Sequence, residues 1–229
     1  MKNKIIVALD VDSEKKAVEL VKKLSPYVGG FKFGPRLTFR CDKSFLKDVS
    51  QSGILFFDHK FFDIPSTTAA AVEVAAELGA HWVTVHALNG SECLNKISEV
   101  EFKIKNQITN FRVLAVTVLT SFSEKNLPSI WQKQSLQKSV TDLAEDAFAS
   151  GLSSIVCSPE EIESLKALNK NSFLVVPGIR PSGSGTSDQV RVATPSMAVT
   201  RGADALVIGR PIIESSDPVR VAKEISDTL

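Results

Sequence analysis

Short apolar runs alternate with longer amphipathic ones along this chain, and the alternation recurs about eight times. Ile5–Asp10 reads as a first strand, followed by a helix from Ser13, a residue type suited to the N-cap, to Leu24. Gly29–Gly34 carries the second strand, and a helix covers Ser44–Ser50. Ile54–Lys60 is the third strand and leads into an alanine-rich helix over Thr67–Leu78. His81–His86 is the fourth, with a helix within Ser91–Gln107; Val113–Thr120 is the fifth, with a helix near Ser139–Ala149. Ser154–Ser158 is the sixth, and Pro159 suits the first turn of a helix over Glu160–Leu168. Phe173–Pro177 and Ala205–Gly209 complete the strands, and Pro218–Thr228 forms the last helix.

Near-continuous apolar strands separated by amphipathic helices imply a parallel sheet covered on its outer face. Eight such units in 229 residues suit an α/β fold of the closed (β/α)8 TIM-barrel kind, a single domain over residues 1–229. A doubly wound open sheet shares the pattern, because periodicity does not report closure. No low-complexity segment or linker divides the chain.

Composition narrows the partners. The 43% apolar and 23% charged fractions are those of an ordinary globular protein. Lys plus Arg is 27 against 26 for Asp plus Glu, and a net charge of +1 makes no electrostatic case for nucleic acid or an anionic membrane. Cys41, Cys93 and Cys157 are odd in number and show no CxxC spacing, so they read as reduced thiols. The first apolar run is only five residues before Asp10 closes it, which predicts a strand and not a signal peptide. No apolar run approaches the roughly 18–20 residues of a membrane span, so a cytoplasmic location is expected by default.

Chemistry gathers at the strand ends. The run Phe56-Phe57-Asp58-His59-Lys60-Phe61-Phe62-Asp63-Ile64-Pro65-Ser66-Thr67 begins as a buried strand and ends in charge. Side-chain alternation sends Asp58 and Lys60 to one face and His59 to the other. A solvated surface ion-pair cluster is the bland explanation for such charges. Against it, Asp10, Lys32, His86, Thr120, Arg180, Gly209 and Arg210 also lie at or just beyond strand ends, and a barrel brings those positions to one mouth. The loop Pro177-Gly178-Ile179-Arg180-Pro181-Ser182-Gly183-Ser184-Gly185 is long enough for a lid, and Arg180 at its base suits a bidentate grip on an anion. Gly209-Arg210 follows the eighth strand; with Arg180 it occupies the common phosphate position of such barrels. Asp and His are too sparse for a convincing metal site, and the Phe-rich third strand reads as core rather than a stacking platform.

These residues resemble the orotidine 5′-phosphate decarboxylase family over nearly the whole chain. The resemblance rests on Asp58-x-Lys60-x-x-Asp63-Ile64-Pro65, Leu9-Asp10, Lys32-Phe33-Gly34, Leu119-Thr120-Ser121, Pro177-Gly178-Ile179-Arg180, Asp188-Gln189-x-Arg191 and Ile208-Gly209-Arg210. It implies decarboxylation of orotidine 5′-monophosphate to UMP, the last step of de novo pyrimidine nucleotide synthesis, without metal or organic cofactor. It further implies Lys60, Asp58, Asp63 and Lys32 as catalytic residues, with Lys60 stabilising and protonating a C6 carbanion. Asp10 and Lys32 would meet the ribose, Thr120 the pyrimidine, and Arg180, Gly209 and Arg210 the phosphate. Gln189 would bridge phosphate and base. Asp63, Ile64 and Thr67 would reach the active site of a neighbouring subunit in a homodimer with shared sites. The family usually has Leu, His and Asn where this chain has His59, Phe62 and Ser66.

The Asp-x-Lys-x-x-Asp run alone is shared with sister barrels that act on sugar phosphates. A metal-dependent sugar-phosphate lyase is therefore the competing enzyme reading, and a silent phosphate-binding barrel the competing non-enzyme one. The lysine confined between carboxylates argues against the silent barrel.

Overall fold

The computed structural model describes residues 3–132, 134–181 and 191–229, and in it the apolar runs become eight strands. They are β1 (Ile5–Ala8), β2 (Gly30–Phe33), β3 (Ile54–Phe61), β4 (Trp82–His86), β5 (Arg112–Val116), β6 (Ser154–Val156), β7 (Phe173–Val176) and β8 (Ala205–Ile208). Each pairs in parallel with its chain neighbours, and β8 returns to β1, so the sheet is a closed barrel. Closure removes the open-sheet alternative.

The helices among these residues are α1 (Glu14–Leu24), α2 (Pro35–Thr38), α3 (Lys43–Ser52), α4 (Pro65–Glu77), α5 (Gly90–Lys105), α6 (Leu136–Ala149), α7 (Ile162–Leu168), α8 (Pro195–Thr200), α9 (Arg210–Ile213) and α10 (Pro218–Ser226). Their local logic is visible in α1. Ser13 caps it by accepting from Lys16 N, Glu14 lies in its first turn, and Lys22 and Lys23 lie in its last. It buries Ala17, Leu20, Val21 and Leu24, a spacing of three and four residues that makes one apolar stripe. None of the helices is long and apolar enough to cross a membrane.

Alternation along the strands separates two cores. Ile5, Val7, Leu55, Phe57, Val83 and their equivalents face the helices, in the larger cluster. Ile6, Ala8, Phe56, Trp82, Leu114, Val175, Ala205 and Val207 fill the barrel interior. Trp82 is its centrepiece, with its ring centroid 5.8 Å from that of Phe56 and 5.3 Å from that of Phe173, both edge-on. Gly30 allows the β2–β3 approach there: a Cβ at that position would lie 2.2 Å from the Ile54 carbonyl oxygen. Two residues on, the same inward face carries Lys32 instead of an apolar side chain.

The structure departs from the sequence expectations at the rim. The fifth strand ends at Val116 and not Thr120, and the sixth at Val156 and not Ser158, because the chain leaves the ladder to form the mouth. The short helices α2, α8 and α9, each of four to six residues, were not anticipated; all three open with proline in the first turn. They are too short to show a helical period.

The interior packing yields a test. Trp82→Ala leaves a hole that Phe56 and Phe173 cannot fill, and is expected to cost about 3–5 kcal/mol of stability in urea unfolding. A loss below about 1 kcal/mol would mean that the interior collapses around the missing ring.

Candidate active site

At the C-terminal ends of the strands lies a cavity of about 340 Å³, floored by Ala8, Phe56, Val116, Val156 and Val207. Asp10, Lys32, Asp58, Lys60, Thr120, Arg180, Gly209 and Arg210 all line it. The convergence expected from the strand ends is therefore present for eight of the nine strand-end residues named from the sequence, His86 being the exception. Asp63, Ile64 and Thr67 do not line it; they are exposed beyond the end of β3 and at the start of α4. Gln189 lies outside the described residues.

The deepest feature is a chain of alternating charges. Lys32 Nζ is 3.6 Å from Asp10 Oδ1 and 3.3 Å from Asp58 Oδ2, and Lys60 Nζ is 2.7 Å from Asp58 Oδ1. Exposure rises along it: the Lys32 and Asp58 side chains are 12% and 16% exposed, Lys60 36% and Asp10 58%. Burial pushes the Asp58 carboxyl towards the neutral form, but Lys32 and Lys60 overcome this and hold it at about 2. Burial likewise works against the Lys32 ammonium, and Asp58 and Asp10 more than offset it, so its pKa is raised. Each buried charge is thus kept ionised by the next. Asp63 does not extend this array; its carboxylate accepts from Ile64 N at 2.7 Å, and its own N–H donates to Asn89.

The backbone around Lys60 is unusual. Lys60 has φ of 50°, alone among the described non-glycine residues in the left-handed region. The β3–β4 register shifts between Phe57 and Phe61, so the strand bulges where its charges emerge. Bulges next to active sites re-aim a side chain in this way. Thr84, fully buried on β4, accepts from Lys60 N at 2.8 Å and donates to Asp58 Oδ1 at 3.1 Å.

Across the cavity, Gly178 at φ 79° turns the chain after β7 and brings Arg180 to the rim. Arg180 is buried, and its guanidinium is held below its ordinary pKa by burial and by the like charge of Arg210. Two cations that disfavour each other in a partly desolvated site suit an anion between them. Arg191 pins the neighbouring loops: it is ion-paired with buried Glu161 and donates to Ser158 Oγ and to the carbonyls of Val118 and Leu119.

His59, sent by alternation to the face opposite Asp58 and Lys60, packs on the helix side, stacked on Phe57, edge-on to Phe61 and hydrogen-bonded to Thr38. His86, expected at the mouth with the other strand-end residues, instead accepts from Leu88 N in the turn after β4 and lies outside the cavity lining. Cys157, read from sequence as one of three reduced thiols, is buried yet lines the cavity, and burial pushes its thiol to about 12. Thr84 was missed altogether. Its signal was a polar residue at an inward position of a strand, two residues before His86. Among the described residues, no group of three or more His, Cys, Asp or Glu side chains is placed to hold a metal ion.

A closed parallel barrel with an ion chain and paired guanidinium groups at its C-terminal mouth is the architecture of a (β/α)8 enzyme with an anion-binding rim. The chain belongs to the Orotidine 5′-phosphate decarboxylase / HUMPS family, whose model matches residues 3–225. It is 41% identical over 230 aligned residues to the orotidine 5′-phosphate decarboxylase of Trichlorobacter lovleyi, covering 100% of this chain and 95% of that one. Against the enzyme of the same name from Syntrophomonas wolfei it is 42% identical, covering 99% and 97%. The crystal structure of orotidine 5′-phosphate decarboxylase from Lactobacillus acidophilus superposes with a TM-score of 0.85 at 32% identity, covering 99% of this chain and 98% of that one.

The depressed Asp58 pKa has a measurable consequence. Its carboxylate form is favoured by folding, so its stabilisation is complete above the unfolded value near ~4 and disappears as pH falls towards about 2. Asp58→Asn removes that titration, and its unfolding free energy should fall less steeply than wild type between about pH 4 and 2, by about 2 kcal/mol over the window. Urea titrations at stepped pH measure this; identical slopes would show that Asp58 is not held ionised by its lysines.

Proposed function

We propose that this chain decarboxylates orotidine 5′-monophosphate to UMP without metal or organic cofactor. The observation that carries the reading is the Lys60 ammonium in the cavity, 2.7 Å from a carboxylate that is itself locked to Lys32. The names of its relatives support the decarboxylation itself.

In this reaction the bond from C6 of the pyrimidine to the carboxylate breaks, and the electron pair stays on C6 as CO2 leaves. A fixed cation beside C6 lowers the energy of that developing charge, and it needs no reorganisation at the moment of reaction. Lys60 fills this role, then transfers a proton from Nζ to C6 and regains one from solvent. Asp58 keeps Lys60 oriented, and its charge faces the substrate carboxylate, whose departure relieves the repulsion. Lys32 and Asp10 hold the ribose hydroxyls, Thr120 the pyrimidine edge, and Arg180, Arg210 and the Gly209 amide the phosphate. Gln189 contacts both phosphate and base. Binding energy from the phosphate, remote from C6, is then available to position the reacting carbon.

Asp63, Ile64 and Thr67 complete the site of a second copy in a homodimer. This reading is supported by their exposure outside their own cavity, with Ile64 64% exposed, and by the nearby apolar groove between Phe39, His59, Phe61 and Val74. It is also what the sequence resemblance implies.

Two experiments test these proposals. With purified protein and excess EDTA, the ultraviolet chromophore of orotidine 5′-monophosphate should be lost as UMP accumulates, and Lys60→Ala should abolish this while remaining folded. Turnover only after magnesium is restored would point instead to a metal-dependent lyase, and substantial turnover by Lys60→Ala would remove the proposed role of the lysine. For the shared site, Lys60→Ala and Asp63→Ala proteins, each impaired alone, should recover activity when mixed and allowed to exchange subunits. A mixed dimer would then hold one site with both residues intact. No recovery in a demonstrated mixed dimer would place Asp63 outside the partner's site.

A further inference from the structure

The buried hydroxyl of Thr84 sits where two features of the site meet. It is on β4, the strand paired to β3, and faces the barrel interior between Trp82 and His86. In the regular part of the ladder, Phe56 and Phe57 stand opposite Trp82 and Val83. After Phe57 the register shifts, and the Lys60 N–H is bonded by a side chain, the Thr84 hydroxyl at 2.8 Å. A threonine hydroxyl has one hydrogen to donate. Here that hydrogen goes to Asp58 Oδ1 at 3.1 Å, the same oxygen that accepts from Lys60 Nζ at 2.7 Å. One buried group therefore holds the lysine by its backbone and its counter-ion by the carboxylate.

Packing alone does not call for this residue. Thr84 is fully buried, opposite Leu114 in the β4–β5 ladder and near the apolar interior. Valine has nearly the same shape, suits a strand, and adds no polar atom to be satisfied. Lys60, meanwhile, occupies a backbone region that costs a non-glycine residue free energy and persists only where its surroundings hold it. We propose that Thr84 is a positioning residue for the reaction. Its hydroxyl maintains the bulged, left-handed backbone of Lys60 and the orientation of Asp58 together, so that the ammonium points at the reacting carbon. Thr84 touches no reacting atom. It acts through Asp58 and Lys60, and the inference rests on the decarboxylase reading for the reaction that it serves.

The test compares Thr84→Val, which keeps the shape and loses both hydrogen bonds, with Thr84→Ser, which keeps the hydroxyl. Thr84→Val is expected to lower kcat for orotidine 5′-monophosphate roughly 10- to 100-fold, the range for losing a hydrogen bond to a charged group. Its affinity for UMP, which the distant phosphate contacts dominate, should change less than about 3-fold, and Thr84→Ser should recover most of kcat. A Thr84→Val protein with wild-type kcat would overturn the proposal. So would a Thr84→Ser protein as slow as the valine variant, because the hydroxyl would then not be the operative group. If Thr84→Val does not fold, the kcat of Thr84→Ser decides alone. Inactivity of the wild-type protein towards orotidine 5′-monophosphate would fail the decarboxylase reading itself, and it would be seen before any variant is compared.

Discussion

Everything at the mouth of this barrel depends on the mutual compensation of Asp10, Lys32, Asp58 and Lys60. Lys32 and Asp58 are largely enclosed, and an isolated charge at either place would be unfavourable. Alternation of sign solves the problem locally, since each inner group has a partner on either side. It also ties the group together. Removing one inner charge strips an outer group of its partner and leaves the other inner group with one partner instead of two, so the members are coupled. The strands supply the spacing: Ala8 pairs with Lys32, and Lys32 with Phe56, in adjacent ladders, which brings the ends of β1, β2 and β3 within salt-bridge reach.

The barrel pays locally for this arrangement at one place, the end of β3. A regular strand would keep Lys60 in the ladder with β4; the observed strand bulges instead and puts Lys60 at positive φ. Rigidity comes from the surroundings. His59, between the two charged residues, is wedged among Phe57, Phe61 and Phe39 on the helix side and tied to Thr38. The chain is therefore held on both faces of the strand at once, by aromatic packing outside and by Thr84 within.

Much of this was legible from the sequence because barrel topology turns a linear property, the last residue of each strand, into a spatial one. Asp10, Lys32, Asp58, Lys60 and Arg180 could be placed at one mouth without knowing any distance. The left-handed turn at Lys60 was not legible, because lysine carries no propensity for it and the group bonded to its N–H lies 24 residues away. Thr84 was hidden for the same reason: a threonine in a β-branched strand looks like packing until its partners are known. The short helices α2, α8 and α9 lacked the length to show a period. The fate of Asp63 was obscured because the Asp-x-Lys-x-x-Asp spacing reads as a single charged cluster. Strand alternation ends before it, and its carboxylate accepts from the backbone N–H of Ile64, just ahead of the next helix.

The Trp82, Phe56 and Phe173 rings have a consequence for traffic. They fill the axis of the barrel beneath the ion chain, which makes the cavity a cul-de-sac. Whatever enters must leave by the same door. Under the proposed decarboxylation, CO2 and the nucleotide product would share that one exit.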